Sequence, residues 1–139
     1  MQQNNTMPKT AVIMPAYNSG ATIEASVRSI LNQTVPNLVL IVVDDGSTDG
    51  TAAVLERLRA EDARLIPMTV QNGGPAKARN LALDAVPEGT EYIMFADSDD
   101  LLERGALEYA LTEGRGADLV LMGFSIKNTD GSTASYREP

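Results

Sequence analysis

The sequence predicts an α/β domain with a mostly parallel sheet covered by helices on both faces. Three observations carry that expectation. Leu38-Val39-Leu40-Ile41-Val42-Val43 is a continuous, largely β-branched apolar run, the pattern of a strand buried on both faces. Short apolar runs of this kind alternate with segments at helical spacing, in the order β-α-β-α-β-α-β-α-β. The first four strand runs each lead into polar, turn-forming residues. With right-handed crossovers, those four ends share one edge of the sheet, where open α/β folds bind ligands.

The elements follow in order. Ala11-Val12-Ile13-Met14, closed by Pro15, reads as the first strand. Residues 21–34 form a helix with Ile23, Val27, Ile30 and Leu31 on one face. Leu38 to Val43 is the second strand. Asp49 is placed to cap a helix carrying Val54, Leu55 and Leu58. Arg64 to Val70 is the third strand. Asn72-Gly73-Gly74 is a turn, and Pro75 suits the first position of a helix lined by Leu81, Ala82, Ala85 and Val86 and ending by Pro87 and Gly89. Glu91 to Ala96 is the fourth strand. A helix from about Leu101 to Glu113 follows, then a fifth strand from Asp118 to Phe124, then a hairpin turn at Asn128-Thr129-Asp130-Gly131. Residues 1–9 are expected to be flexible, 10–126 to form the domain, and 127–139 to be a loose hairpin or tail. The chain stops without a capping helix, which favours a piece of something longer.

Composition narrows the function classes. Hydrophobic residues make up 43% and charged residues 22%, ordinary for a folded globular domain and far from disordered or fibrous classes. Lys and Arg number 11 against 19 Asp and Glu, a net charge of −8, which repels phosphate backbones and makes nucleic acid a poor partner. There is no Cys and no His. Disulfides, structural zinc, Cys nucleophiles and Ser-His-Asp triads are therefore excluded within this chain. Only oxygen ligands remain for a metal, so any metal is a hard cation such as Mg²⁺, Mn²⁺ or Ca²⁺. No apolar run approaches the ~18 residues of a membrane span, and the polar start lacks the apolar core of a signal peptide. The expected location is cytoplasmic, with peripheral contact at the cytoplasmic face of the membrane as the variant of it.

Four strand ends hold the candidate site. Asp97-Ser98-Asp99 follows the fourth strand. With 10 Asp in 139 residues, about 0.7 such triplets arise by chance, so position rather than pattern gives it weight. Two carboxylates where a strand gives way to a loop can hold one hard cation and leave coordination sites for phosphate oxygens. The competing reading is an N-cap for the next helix, a role Asp100 fills alone. Asp44 and Asp45 end the most apolar strand, where a carboxylate needs partners. They are either Asx-turn residues or acceptors for a base edge or ribose hydroxyl. Tyr17, after Pro15-Ala16, can stack on a planar base or simply sit at the rim of the core. Arg79, near a helix N-terminus, suits a diphosphate; Lys77 reads as a solvated cation. Together these residues fit a nucleoside diphosphate held through Mg²⁺ or Mn²⁺.

Taken in order, Val12-Ile13-Met14-Pro15-Ala16-Tyr17-Asn18, Ser29-Ile30-Leu31-Asn32-Gln33-Thr34, Leu40 to Thr51 with its Asp44-Asp45-Gly46-Ser47, Asn72-Gly73-Gly74 with Ala78-Arg79-Asn80, and Tyr92-Ile93 with Asp97-Ser98-Asp99-Asp100 strongly resemble the family 2 glycosyltransferases, over about residues 10 to 125. The resemblance implies a three-layer, Rossmann-like GT-A fold with a mostly parallel sheet, here truncated after about five strands. It implies transfer of a sugar from a nucleotide sugar, most often a UDP-sugar, to a glycan, lipid or protein acceptor, usually with inversion. Pro15, Ala16 and Tyr17 would then border the base, with Asp45 accepting from it. Asn18, Gly46, Arg79 and Ser98 would complete the nucleotide contacts. Asp97 would approach the ribose or the metal, and Asp99 would ligate the Mn²⁺ or Mg²⁺ that bridges the diphosphate and acts as a Lewis acid on the leaving nucleotide.

The family continues beyond the matched region. Its acceptor pocket and general base come from a later half with no counterpart here; Glu138 is the last carboxylate of the chain. The family sheet also inserts a later strand between the fourth and fifth read here. Without it the fifth strand is expected to be displaced, and the bare edge invites self-pairing. The main alternative is a module that binds nucleotide and metal without turnover. A nucleotidyltransferase is a weaker rival, lacking a Gly-rich basic loop after the first strand. Neither a P-loop nor Gly-x-Gly-x-x-Gly occurs. A receiver-type signalling domain would need its acidic pair after the first strand.

Overall fold

The computed structural model describes residues 7–136. Its elements are β1 (Thr10–Ala16), α1 (Ile23–Leu31), β2 (Leu38–Asp44), α2 (Thr51–Glu61), β3 (Leu65–Thr69), α3 (Pro75–Asp84), β4 (Tyr92–Phe95), α4 (Ala106–Glu113), β5 (Phe124–Lys127) and β6 (Thr133–Tyr136). The first four strands form one parallel sheet in the order β3-β2-β1-β4. Side chains alternate across it, as the two-residue period of a strand requires. Val12, Met14, Leu40 and Val42 pack under α1, α2 and α4 through Ile23, Val27, Leu55, Leu58 and Leu107. Ile13, Ile41 and Val43 face the other way and meet Ala78 and Ala82 of α3. Three layers result, with β1 and β2 buried on both faces. Pro67 lies within β3, which is tolerated because β3 is an edge strand and the missing N–H breaks no ladder on its open side.

Four sequence expectations are corrected. The segment from Asp118 to Gly123 is not a strand of the sheet. Leu119 is 74% exposed, and regular structure resumes only at Phe124, in an antiparallel β5–β6 hairpin of its own. A β-prone run becomes a strand only with a partner, and no strand among the described residues pairs with the outer edge of β4. The hairpin turn at Asn128 to Gly131 is present, closed by Asn128 N–H to the Ser132 carbonyl at 2.8 Å.

The helix expected from Leu101 begins only at Ala106. Side chains reaching across from α1 and from Gln33, two residues past its end, occupy the backbone of the intervening segment. Ser29 Oγ accepts the Leu102 N–H at 3.1 Å and Gln33 Nε2 donates to the Glu103 carbonyl at 2.7 Å, while Gln33 Oε1 accepts the Leu107 N–H at 3.0 Å, an N–H of the first turn of α4 that has no partner within the helix. The Leu102 and Glu103 groups so engaged are withheld from a helix. Asp100 therefore caps nothing. Asp49 also sits one residue before the N-cap position of α2, which is Gly50; its Oδ1 accepts the Thr51 N–H at 3.0 Å instead. The N-terminal Met1 to Thr6 and the C-terminal Arg137 to Pro139, Glu138 included, lie outside the described residues. Met7 and Lys9 are tied to the sheet end, the Met7 carbonyl accepting from Asn37 and the Lys9 carbonyl from the Glu91 N–H at 2.8 Å. Among the described residues no helix is long and apolar enough to cross a membrane.

Candidate nucleotide and metal site

The carboxyl ends of β1, β2 and β4, with the N-terminus of α3, surround an open cleft of about 660 Å³. Pro15, Ala16, Tyr17 and Asn18 line it from β1. Asp45 lines it from β2, Arg79 from α3, and Asp97, Ser98 and Asp99 from the end of β4. The topology thus brings together most of the residues singled out in the sequence; Asp44, buried beneath the strand end, Gly46 and Lys77 do not line the cleft. Gly46 has φ +76°, and a Cβ there would lie 2.8 Å from the Asn72 amide nitrogen. Its place in the motif is explained by the turn it makes against the loop before α3.

Asp45 is 4% exposed. Its Oδ1 accepts the Gly73 N–H at 2.8 Å and its Oδ2 the Gly74 N–H at 2.9 Å. The carboxylate thereby holds the turn that starts α3, and each oxygen keeps a further lone pair. Asp44 is buried; its Oδ1 accepts the Ser47 N–H at 3.0 Å and its Oδ2 has no hydrogen-bond partner among the described residues. The loops after β1 and β2 are clamped together. Ser47 Oγ accepts the Asn18 N–H at 2.9 Å, and Asn18 Oδ1 accepts the Thr48 N–H at 2.8 Å. Asn18 has φ +48°, a left-handed conformation that Asn tolerates. Asp49 Oδ2 accepts the Gly20 N–H at 3.0 Å. Hydrogen bonds, first from the Thr51 hydroxyl and then from the Thr51 and Gly20 amides, hold the Asp49 carboxyl below its usual range.

Tyr17 projects from this clamped loop with its side chain 53% exposed. Opposite it, the Arg79 guanidinium lies 3.5 Å from Asp97 Oδ1, a long and exposed pair that contributes little to stability. Gly74 and Pro75 place the first turn of α3 at the cleft wall, so the helix dipole favours an anion there.

Carboxylate oxygens of Asp97, Asp99 and Asp100 come within 4.8 Å of one another, all three residues being exposed. This is a donor set of hard oxygens at the reach of one divalent cation. Partial desolvation, then the charges of Asp99 and Asp97, push the Asp100 carboxyl above the usual range. Asp100 was read only as a cap in the sequence; its adjacency to the triplet was the signal for a third carboxylate. Asn72, read in the sequence as a turn residue, also lines the cleft, as do Ser19 and Thr22, which carry no sequence signal because short polar residues in loops look alike whether or not they face a ligand.

Fold and site define an α/β domain with an acid-rimmed cleft at the carboxyl ends of its strands. The chain belongs to glycosyl transferase family 2, whose model matches residues 11–138. It is 37% identical over 131 residues to a putative teichuronic acid biosynthesis glycosyltransferase of Bacillus subtilis, covering 92% of this chain and 51% of that one. Among solved structures, it superposes on S. aureus TarS residues 1–349 in complex with UDP-GlcNAc with a TM-score of 0.70 and 35% identity, covering 76% of this chain and 31% of that one. The mannosyltransferase of Pyrobaculum calidifontis in complex with GDP-Man and Mn²⁺ matches with a TM-score of 0.69 and 31% identity, over 79% of this chain and 33% of that one. These are GT-A glycosyltransferases, and the four-stranded parallel sheet with its helices is their fold. The chain spans about half the length of the curated relatives it matches.

Proposed function

We propose that the cleft binds the nucleotide-sugar donor of a glycosyltransferase, with UDP as the nucleotide and a divalent cation at the Asp97–Asp100 corner. The observation that carries this is the convergence of Tyr17, Asp45, Arg79 and the acidic cluster on one cleft, in a chain similar to a protein solved with UDP-GlcNAc. The exposed Tyr17 ring offers a stacking face for the base beside Pro15 and Ala16. The free lone pairs on Asp45 suit a base N–H. Asn18 and Ser98 border the ribose side. Arg79 and the N-terminus of α3 suit the diphosphate, Arg79 by bidentate hydrogen bonding and the helix by its dipole.

Asp97, Asp99 and Asp100 would hold Mn²⁺ or Mg²⁺. When bound, the cation neutralises charge on the departing nucleoside diphosphate. The acceptor hydroxyl and its general base belong to the acceptor half of the family, so we read this chain as the donor-binding part, acting with inversion in the whole enzyme and inactive by itself.

Thermal unfolding with UDP, GDP, CDP and ADP, each with and without Mn²⁺, tests the reading. Ligand at 100 times its Kd adds about 2.7 kcal/mol, which raises Tm by several degrees in a chain of this size. A Mn²⁺-dependent shift with UDP supports it. A shift with GDP alone keeps the site and changes the donor. No shift with any nucleotide in a cooperatively folded sample overturns it.

A further inference from the structure

The acidic corner is a β-turn whose central peptide is pinned from α1. The Asp100 N–H donates to the Asp97 carbonyl at 3.2 Å, so Asp97 to Asp100 close the turn, with Ser98 and Asp99 as its central residues. The Ser98 carbonyl thus belongs to the central peptide. Rotation of that peptide is the soft coordinate of a β-turn: it interconverts type I and type II forms and tilts the flanking side chains. In type II, residue Asp99 would need a positive φ, yet Asn18 is the non-glycine residue with positive φ among the described residues. Asp tolerates the left-handed region better than most residues, so the backbone alone defends the present form weakly.

Two hydroxyls supply the defence. Thr22 Oγ1 and Ser26 Oγ each donate to the Ser98 carbonyl at 3.0 Å. Ser26 is 0% exposed, held inside the interface between α1 and the turn. Ser98 Oγ lies a further 2.6 Å from Ser19 Oγ, which anchors the other side of the same residue. Ser29 and Gln33 then continue the polar line, bonding the backbone from Leu102 to Leu107. Positions 22, 26, 29 and 33 repeat at helical spacing, alongside the apolar stripe that faces the sheet. No hydrophobic burial requires a wholly buried serine in this row; the Ser98 carbonyl does.

We infer that Thr22 and Ser26 are positioning residues that lock the central peptide of the Asp97–Asp100 turn and so hold the carboxylates in the arrangement that a divalent cation needs. Neither is placed on the cation itself. The inference rests on the donor-site reading for its cation, but the lock is a property of the chain that can be measured without any ligand.

The test compares the wild-type chain with Thr22→Val/Ser26→Ala. In the ligand-free protein, hydrogen exchange at the Asp100 amide quickens in the double variant, because the turn hydrogen bond opens more often. By calorimetric titration, UDP affinity in the presence of Mn²⁺ falls about tenfold more than UDP affinity in EDTA, the scale of one to two hydrogen bonds. Thr22→Ser, which keeps the hydroxyl, binds within about twofold of wild type. Unchanged exchange together with unchanged Mn²⁺-dependent affinity overturns the inference, as does an equal loss with and without metal, which would mark a general loosening. If wild type binds no nucleotide with Mn²⁺, the donor-site reading fails and the Asp100 amide still decides the lock. Should the double variant not fold, the exposed Thr22→Val single variant carries the same readouts at about a threefold effect.

Discussion

Asp45 Oδ1 accepts the Gly73 N–H at 2.8 Å. A carboxylate at the end of a central strand thereby ties down the loop that opens α3, with Gly74 taken by the second oxygen. The same group that faces the cleft is therefore also a structural clamp, and the two readings of Asp45 in the sequence, turn residue and ligand contact, are not exclusive.

Asp45→Asn separates the two roles. One amide oxygen can serve one N–H, but the NH₂ group then meets a second donor in a buried place. The unsatisfied amide costs about 1–3 kcal/mol, and Tm falls by several degrees, as differential scanning calorimetry would record. If the donor-site proposal holds, UDP binding weakens beyond what the stability change explains, whereas free Mn²⁺ affinity stays at the wild-type value. An unchanged Tm would contradict the clamp.

Gly46→Ala tests the neighbouring turn. The backbone is left-handed at φ +76°, and the added Cβ would lie 2.8 Å from the Asn72 nitrogen. Strain of this kind costs about 1–3 kcal/mol. The urea midpoint should drop with the m-value unchanged, because the same surface is exposed on unfolding.

Much of the architecture was legible because it depends on short-range pattern. Leu38 to Val43 could be read as a double-faced strand since every residue is apolar, and it became β2 at the centre of the sheet. Once parallel order followed from β-α alternation, the shared edge of Pro15 to Asn18, Asp45 and Asp97 to Asp99 followed too. What was missed depends on distant partners. In Leu101 to Gly105 only Gly105 argues locally against a helix, and it is the residue before the observed start of α4; Ser29 and Gln33, about 70 residues earlier, capture the backbone of the rest. Nothing local in Asp118 to Gly123 argues against a strand; a missing neighbour does. The site residues were visible individually, and Asp100 adjoins the triplet in the sequence, but the clamp of Asp45 on Gly73 and Gly74 required knowing which loops meet.

Glu24 gives a pH-dependent prediction. It accepts from Arg57 at 2.8 Å and from Arg28 at 3.2 Å, linking α1 to α2. Hydrogen bonds from Arg57, then Arg28, bring its carboxyl down from 4.5 to about 2. A carboxyl depressed in the folded state contributes stability that is fully present above its unfolded value and is lost as pH falls through the folded one. Glu24→Gln should therefore lower Tm slightly at neutral pH, with the gap closing between pH 4.5 and about 2 and disappearing below that. All three side chains are solvent-accessible, so the gap is small and shrinks with added salt. A gap that persists at pH 2 would place the effect in packing instead.

Asp99→Ala distinguishes binding from folding most cleanly. Asp99 is exposed and sits among like charges, with carboxylate oxygens of Asp97 and Asp100 within 4.8 Å. Removing it relieves repulsion and leaves no buried cavity, so ligand-free stability should stay within about 0.5 kcal/mol of wild type, with any change upward. A cation held by this corner loses a third of its protein carboxylates. UDP affinity in Mn²⁺ should then fall to the value measured in EDTA, while metal-independent contacts at Tyr17, Asp45 and Arg79 persist. Titration of UDP into both proteins with and without Mn²⁺ reads this directly. Equal Mn²⁺-dependent affinity in the variant would show that Asp99 does not hold the cation, and the assignment would pass to Asp97 and Asp100, whose own alanine variants would then have to abolish the metal effect.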